Sequence, residues 1–344
     1  MTSAENQNNS KKVLTLVIPT YNMERYLGTC LDSVTASCVE NTLEVIVVND
    51  GSKDRSLAIA QSYQEKRPDI VRIIDKKNGN YGSCVNAGLK QATGKYFRIL
   101  DADDWFGTEG LVELMKKMET LDTDLIITSV VQKVYKGDQL METNKRTFNP
   151  ELKEKILTND HPWVEKLDAE GQLGMHSMTF KTEILHQCQL QLIEGISYTD
   201  TIYYFQPFAK VKDFIFLDID LYHYRLGREG QTVDRKLFAK HLTDITQVYE
   251  RIFQVMDETP QTESLKTNQG ALLRQPLRFM LSILKHQKSI PETEYGRLTS
   301  IIQGINKYHL HYKVLHRWYF FPWKLTENPK VLNSLFRVRG WFSK

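Results

Sequence analysis

The chain has 344 residues, enough for one large domain with an appendage, or for two domains. An apolar fraction of 41% and a charged fraction of 25% are those of an ordinary globular protein, and no run reaches the roughly 18 consecutive apolar residues of a membrane-spanning helix. A net charge of +3 excludes nucleic-acid binding through overall charge. Cys30, Cys38, Cys84 and Cys188 lie far apart, without a C-x-x-C pair or zinc-like His spacing, and read as unpaired thiols of a reducing compartment. The polar stretch 1–11 lacks the apolar core of a signal peptide and reads as a disordered tail. The expectation is a cytoplasmic protein.

In chain order, Val13 to Ile18 is a dense apolar run ending in Pro19-Thr20-Tyr21-Asn22, the pattern of a parallel strand covered on both faces. Met23 to Ala36 has helical spacing, and Leu43 to Val48 is a second strand closing on Asn49-Asp50-Gly51-Ser52. A helix runs to about residue 66. Ile70 to Ile74 is a third strand, followed by Asn78-Gly79-Asn80-Tyr81-Gly82-Ser83 and a helix over Cys84 to Gln91. Tyr96 to Leu100 is a fourth, ending in Asp101-Ala102-Asp103-Asp104-Trp105. Leu111 to Met118 reads as a helix, Leu125 to Thr128 as a strand, and residues 132–172 as an irregular excursion with a hairpin. Phe180 to Leu185 looks helical, Asp200 falls near the start of an aromatic-rich helix, and Phe214 to Asp218 is another strand.

Strand and helix alternating at this rhythm predict right-handed crossovers and a mostly parallel α/β sheet, whose ligands bind at the carboxyl ends of the strands. Four of these strands end in small or polar residues, and together the endings describe a site. Three carboxylates within four residues raise one another's pKa unless a cation neutralises them, and hard divalent ions take such oxygen ligands. The plain alternative is a solvated acidic turn capping the next helix. A dinucleotide fold would need G-x-G-x-x-G after the first strand, where this chain has Pro-Thr-Tyr-Asn, and a Walker A sequence is also absent.

Val17 to Asn22, Val48 to Ser52, Asn78 to Gly82 with Asn86-Ala87-Gly88, and Leu100 to Asp104 resemble, in that order, the motifs of the inverting family-2 glycosyltransferases with the GT-A fold. Tyr198-Thr199-Asp200 and Tyr224 to Gln231 are similar to segments of bacterial members, so the likeness covers about residues 12–232. The resemblance implies a nucleotide-diphosphate sugar donor, with Pro19, Thr20, Tyr21 and Asp50 on the nucleoside. Asp50 would accept from a uracil N–H and Tyr21 would stack on the base. The 78–83 loop, with Asn78, Gly79, Asn80 and the nearby Asn86, would close over the base or ribose. Asp101 and Asp103, flanking Ala102, match the D-x-D pair for the donor and a Mn²⁺ or Mg²⁺ ion; Asp104 is a competing ligand and His223 a weaker one. Asp200 falls at the catalytic base, with Thr199 where the family commonly has Glu.

The chemistry needs these residue types. A divalent cation stabilises the charge developing on the leaving diphosphate. A carboxylate takes the proton of the attacking hydroxyl from the opposite face of the sugar, and so comes from a different segment. Asp200 could instead be only an N-cap. His223 and Arg225 are candidates for the diphosphate and His176 for the acceptor site; His223 among aromatics also suits a packed core residue, and Trp105 suits packing better than sugar stacking.

After about residue 235 the strands stop, and Leu237 to Met256 and Ala271 to His286 read as amphipathic helices joined by a polar linker, 257–269. Residues 307–344 hold eight Lys/Arg against one acid, Glu327, interleaved with aromatics. That composition suits either an anionic membrane surface or a lid packed on the catalytic domain. The expected organisation is a catalytic domain over 12–232 and a helical region over 233–344. The function expected is transfer of a sugar, from a UDP-sugar before others, to a surface-polysaccharide or lipid-linked glycan. A catalytically inactive nucleotide-sugar-binding scaffold is the alternative, and a sugar nucleotidyltransferase would need a Gly-rich basic loop that is missing here.

Overall fold

The structure is a computed structural model and describes residues 12–36, 42–146, 148–160, 162, 173–228, 231, 240–285, 287, 289–310 and 320–342. Cys38, the 1–11 tail and parts of the 132–172 excursion and of the basic C-terminal stretch lie outside them.

Strands β1 (Leu14–Thr20) and β2 (Leu43–Asn49) are buried almost throughout, and β3 (Val71–Asp75) follows them at the sheet edge. Helices α1 (Leu27–Thr35), α2 (Ser56–Lys66) and α3 (Asn80–Gln91) make the crossovers, and β4 (Tyr96–Ile99) joins β1 on its other side. All four strands run parallel. Side chains of β1 and β2 divide by alternation: Leu16, Ile18, Val45 and Val47 enter one apolar core, and Val17, Ile46 and Val48 the other. Thr20 pairs with Asn49 and Asn49 with Asp75, so the strand ends line one edge of the sheet.

Next come β5 (Trp105–Phe106), α4 (Thr108–Met118), β6 (Leu125–Lys136), β7 (Gln139–Arg146), β8 (Ile156–Thr158) and β9 (Met178–Lys181). Then α5 (Thr182–Gln187), α6 (Asp200–Phe208) and the long β10 (Asp213–Leu226) complete a sheet ordered β3-β2-β1-β4-β9-β6-β10-β5. The parallel β6–β10 pair and the antiparallel β9 make the sheet mixed but mostly parallel.

Two expectations change. The helix read over Phe180 to Leu185 starts only at Thr182; Phe180 belongs to β9, wedged antiparallel between β4 and β6. A short apolar run cannot by itself separate a buried strand from a helix. The polar linker is likewise mostly helix, because Thr262 accepts from the Leu265 amide at 3.1 Å and α8 (Glu263–Lys285) starts well before Ala271. Helices α7 (Leu242–Glu258), α9 (Tyr295–Lys307), α10 (Phe321–Thr326) and α11 (Pro329–Phe342) complete the C-terminal region. One contiguous apolar core runs from the sheet through Tyr203 and Phe205 of α6 into Val248, Leu277 and Ile301. The helical region therefore shares the core of the sheet.

Candidate active site

At the β2 end of the sheet edge, Asp50 is 2% exposed. Its Oδ1 accepts from Lys76 Nζ at 2.8 Å and from the Gly79 amide at 2.9 Å, while Asn78 Nδ2 donates to the Asp50 carbonyl at 3.1 Å. Lys76 also donates to Ser83 Oγ at 2.8 Å. These bonds hold the turn at 78–80 against β2. Asn80 then takes a positive φ of 64° and opens α3, four residues earlier than its apolar spacing predicts. Beside this turn, Thr20 is buried and Tyr21 is 45% exposed.

Asn86 has a different occupation. Its Nδ2 donates to the Leu192 carbonyl at 2.9 Å and to Glu194 Oε1 at 3.0 Å, and its Oδ1 accepts from the Leu192 amide at 2.9 Å. The neighbouring Gly82 is glycine because a Cβ would run into the Ile193 carbonyl. Asn86 thus straps the 192–195 segment to α3, and the Gly195 amide donates to the Gly79 carbonyl at 2.8 Å, tying that strap to the 78–80 turn.

At the β4 end the three acids have unlike surroundings. Asp104 is 1% exposed; its Oδ2 accepts from the Tyr222 hydroxyl at 2.7 Å and its Oδ1 from the Arg225 amide at 2.7 Å. Burial first, then the charges of Asp103 and Asp101, pushes the Asp104 carboxyl well above the carboxylate range. Asp101 accepts from the Tyr81 hydroxyl at 3.0 Å and lies 3.7 Å from His176 Nε2. Asp103 turns to Arg228, whose Nε is 2.7 Å away. Asp101, Asp104 and His176 each bring a ligand atom to within 4.8 Å of the others.

Alternation along β10 sorts its polar residues between the two sheet faces. The rings of Tyr222 and Tyr224 meet His176 at 4.9 and 4.4 Å, whereas His223 stacks near Trp105 at 5.4 Å. His223 is accordingly outside that three-residue cluster, and burial, its largest influence, holds its pKa down. Arg225 also lies over Trp105 at 5.2 Å, and over Tyr26 and Tyr135 at 5.2 and 4.3 Å, so Trp105 packs against a guanidinium.

Asp200 opens α6 within electrostatic reach of His176 and Asp101. Burial raises its pKa, the nearby His176 lowers it, and Asp101 raises it again. A carboxyl placed so is a stronger base than one in water. The residues that spacing alone does not single out are Tyr81, Tyr222 and Arg228, and His176, a candidate for the acceptor site, stands instead with Asp101 and Asp104. Each reaches the acids across a long sequence gap, so only the strand order reveals it.

Residues 15–180 match the model of glycosyl transferase family 2. This domain belongs to that family. Among curated relatives, the putative glycosyltransferase EpsH of Bacillus subtilis is 26% identical over 67% of this chain, and the chain spans 66% of that protein. The uncharacterised glycosyltransferase YibD of Escherichia coli is 23% identical over 96% of this chain and 99% of its own length. Among solved structures, S. aureus TarS 1–349 shares the fold with a TM-score of 0.68 at 17% identity, covering 96% of this chain and 92% of that one. TarS 1–349 has also been solved with UDP-GlcNAc and with UDP. The family-2 domain therefore carries the GT-A architecture expected from its motifs.

Proposed function

We propose that this chain is a metal-dependent, inverting glycosyltransferase that moves a sugar from a UDP-sugar to a glycan of a surface polysaccharide or a lipid-linked intermediate. One observation carries the reading: four separate segments converge, supplying a fixed carboxylate (Asp50), two acids and an imidazole in one cluster (Asp101 and Asp104 with His176), and a distinct carboxylate (Asp200). The fold is that of a protein solved with UDP-GlcNAc, which supports a UDP donor.

Two carboxylates and an imidazole suit Mn²⁺ or Mg²⁺, and burial together with the like charges of Asp103 and Asp101, which push Asp104 up, is what a bound divalent cation would answer. In this assignment Asp101, Asp104 and His176 hold the ion. Asp103, Asp101's partner in the D-x-D pair, is engaged by Arg228 and stands beside it. The bound ion supplies Lewis-acid stabilisation of the leaving diphosphate. Tyr81 and Tyr222 orient Asp101 and Asp104 by hydrogen bonds, as groups one shell behind a metal do. Asp50, fixed by Lys76 and Gly79, orients the base with the exposed Tyr21 and the 78–80 turn alongside. Asp200 takes the proton of the acceptor hydroxyl, and its approach from another segment makes a single inverting displacement the natural course. Membrane contact near a lipid-linked acceptor is supported by α10, where Phe321 and Leu325 are 41% and 68% exposed beside Lys324. Among the described residues no helix is long and apolar enough to cross a membrane.

The test is release of nucleotide diphosphate from UDP-, GDP- and TDP-sugars with Mn²⁺ or with EDTA, read alongside donor binding. Metal-dependent release of UDP, lost in Asp101→Asn and Asp200→Asn, is the expected result. Failure of every nucleotide sugar to bind in the presence of Mn²⁺ would sink the proposal.

A further inference from the structure

Arg98 lies on β4 three residues before Asp101, is fully buried, and has no carboxylate within ion-pair distance among the described residues. Burial lowers its pKa to about 10, so it is a cation at neutral pH. Taking a guanidinium out of water costs several kcal/mol, roughly, unless its surroundings answer the charge. Its surroundings are specific. Nη1 donates to Thr179 Oγ1 at 2.8 Å, and Nη2 donates to the carbonyl of His176. The guanidinium lies over the rings of Phe106 and Tyr222, at 5.4 and 5.9 Å from their centres. Nε has no hydrogen-bond partner. A residue that served only to fill the core would not bring this charge with it.

Two of the groups it touches, the His176 backbone and the Tyr222 ring, set the acid cluster. His176 sits on a single helical turn, Met175–Ser177, with little secondary structure of its own to fix it. Tyr222 donates to Asp104 and accepts from the Asp101 amide at 3.2 Å. We propose that Arg98 is the positioning residue of the cation site, its fork and its face fixing the His176 backbone and the Tyr222 ring so that Asp101, Asp104 and His176 converge. The proposal rests on the metal reading above. It follows that the fork is essential and the charge alone is not, because an ammonium cannot span Thr179 and the His176 carbonyl while covering Tyr222.

The experiment measures Mn²⁺ affinity by electron paramagnetic resonance on purified wild type, Arg98→Lys, Arg98→Met, Thr179→Val, His176→Ala and the Arg98→Lys/His176→Ala pair, with thermal melting of each. Thr179→Val removes one acceptor of the fork while leaving Arg98 and the shape of the strand in place, so it reports even if the Arg98 variants unfold. Arg98→Lys and Arg98→Met are expected to weaken Mn²⁺ binding by about tenfold or more, and Thr179→Val by a few-fold, as residues behind a metal ligand do. Since Arg98 acts partly through His176 and partly through Tyr222, the loss in the double variant should fall short of the product of the two single losses. If the folded variants bind Mn²⁺ as tightly as wild type, or the double variant loses the product of the two single effects, Arg98 has no positioning role. If wild type binds no Mn²⁺, the metal reading itself fails and this inference with it.

Discussion

The two ends of the site meet negative charge in opposite ways. At the β2 end one buried carboxylate, Asp50, is answered inside the chain by Lys76 at 2.8 Å and a backbone amide at 2.9 Å. At the β4 end three carboxylates meet, among the described residues, one guanidinium in an ion pair (Arg228 on Asp103), a second on the Asp103 carbonyl (Arg225), and one imidazole 3.7 Å from Asp101. The first end is a finished hydrogen-bond acceptor, suited to a neutral base that needs a fixed partner. The second end has spare negative charge, suited to a cation that travels with a diphosphate. A chain that binds a nucleotide through both groups needs both solutions on one sheet edge.

The largest expected effect tests a residue that belongs to neither end. Asp200→Asn should lower turnover by about 10²- to 10⁴-fold, the usual range for removing a general base, while Mn²⁺ and UDP affinities stay within about twofold of wild type. UDP release under saturating donor, with binding measured separately, decides it. Unchanged turnover would leave Asp200 a structural residue of the first turn of α6.

His176→Ala should act only at the charged end, weakening Mn²⁺ binding by about ten- to a hundredfold, on the scale of losing a group that orients or completes a metal site, without changing metal-free UDP binding. Lys76→Met should do the reverse. It leaves Asp50 buried without its cation, at a cost of about 1–3 kcal/mol, towards the low end because Lys76 itself is partly exposed. A lowered urea midpoint with an unchanged Mn²⁺ affinity is the expected signature. If either variant disturbed both ends equally, the two would be one coupled network and the comparison would break.

The sheet and the motif order were legible because β1, β2 and β4 are short apolar runs closed by turn residues, a local pattern that tertiary contacts do not override. Asp50 and the acid triplet lie at strand ends and could be found from that pattern. The division of labour among Asp101, Asp103 and Asp104 could not, since adjacent side chains in a turn diverge according to partners far along the chain in other segments, His176, Tyr222 and Arg228, the last two 118 and 125 positions away. His223, the weaker candidate, lies outside the acid cluster for a simpler reason: strand alternation puts it on the Trp105 face, and the register of β10 is set by pairing with β6. Asn86 belongs to a motif and yet holds a backbone strap, a duty that becomes visible only when Leu192 is seen against it.

The smallest effect concerns pH and follows from the same asymmetry. Asp104 and Asp200 have folded pKa values raised above the unfolded value, roughly 4 for a carboxyl. Such groups bind protons more tightly folded than unfolded, so their contribution to stability is complete below the unfolded value and is lost as pH rises through the folded one. Asp54, Asp69 and Asp257 are lowered by hydrogen bonds and neighbouring cations, and their contribution is lost only as pH falls through their folded values. In EDTA the melting temperature should therefore rise by about 2–4 °C as pH drops from 7.5 towards 5, and turn down only below about 4. Asp104→Asn should flatten that rise, because an amide takes the place of the proton. Mn²⁺ should invert it, since the ion needs the carboxylates ionised and its stabilising increment shrinks with acid. A metal-free wild type whose melting temperature falls steadily from pH 7.5 to 5 would mean that the β4 end is as well compensated as the β2 end.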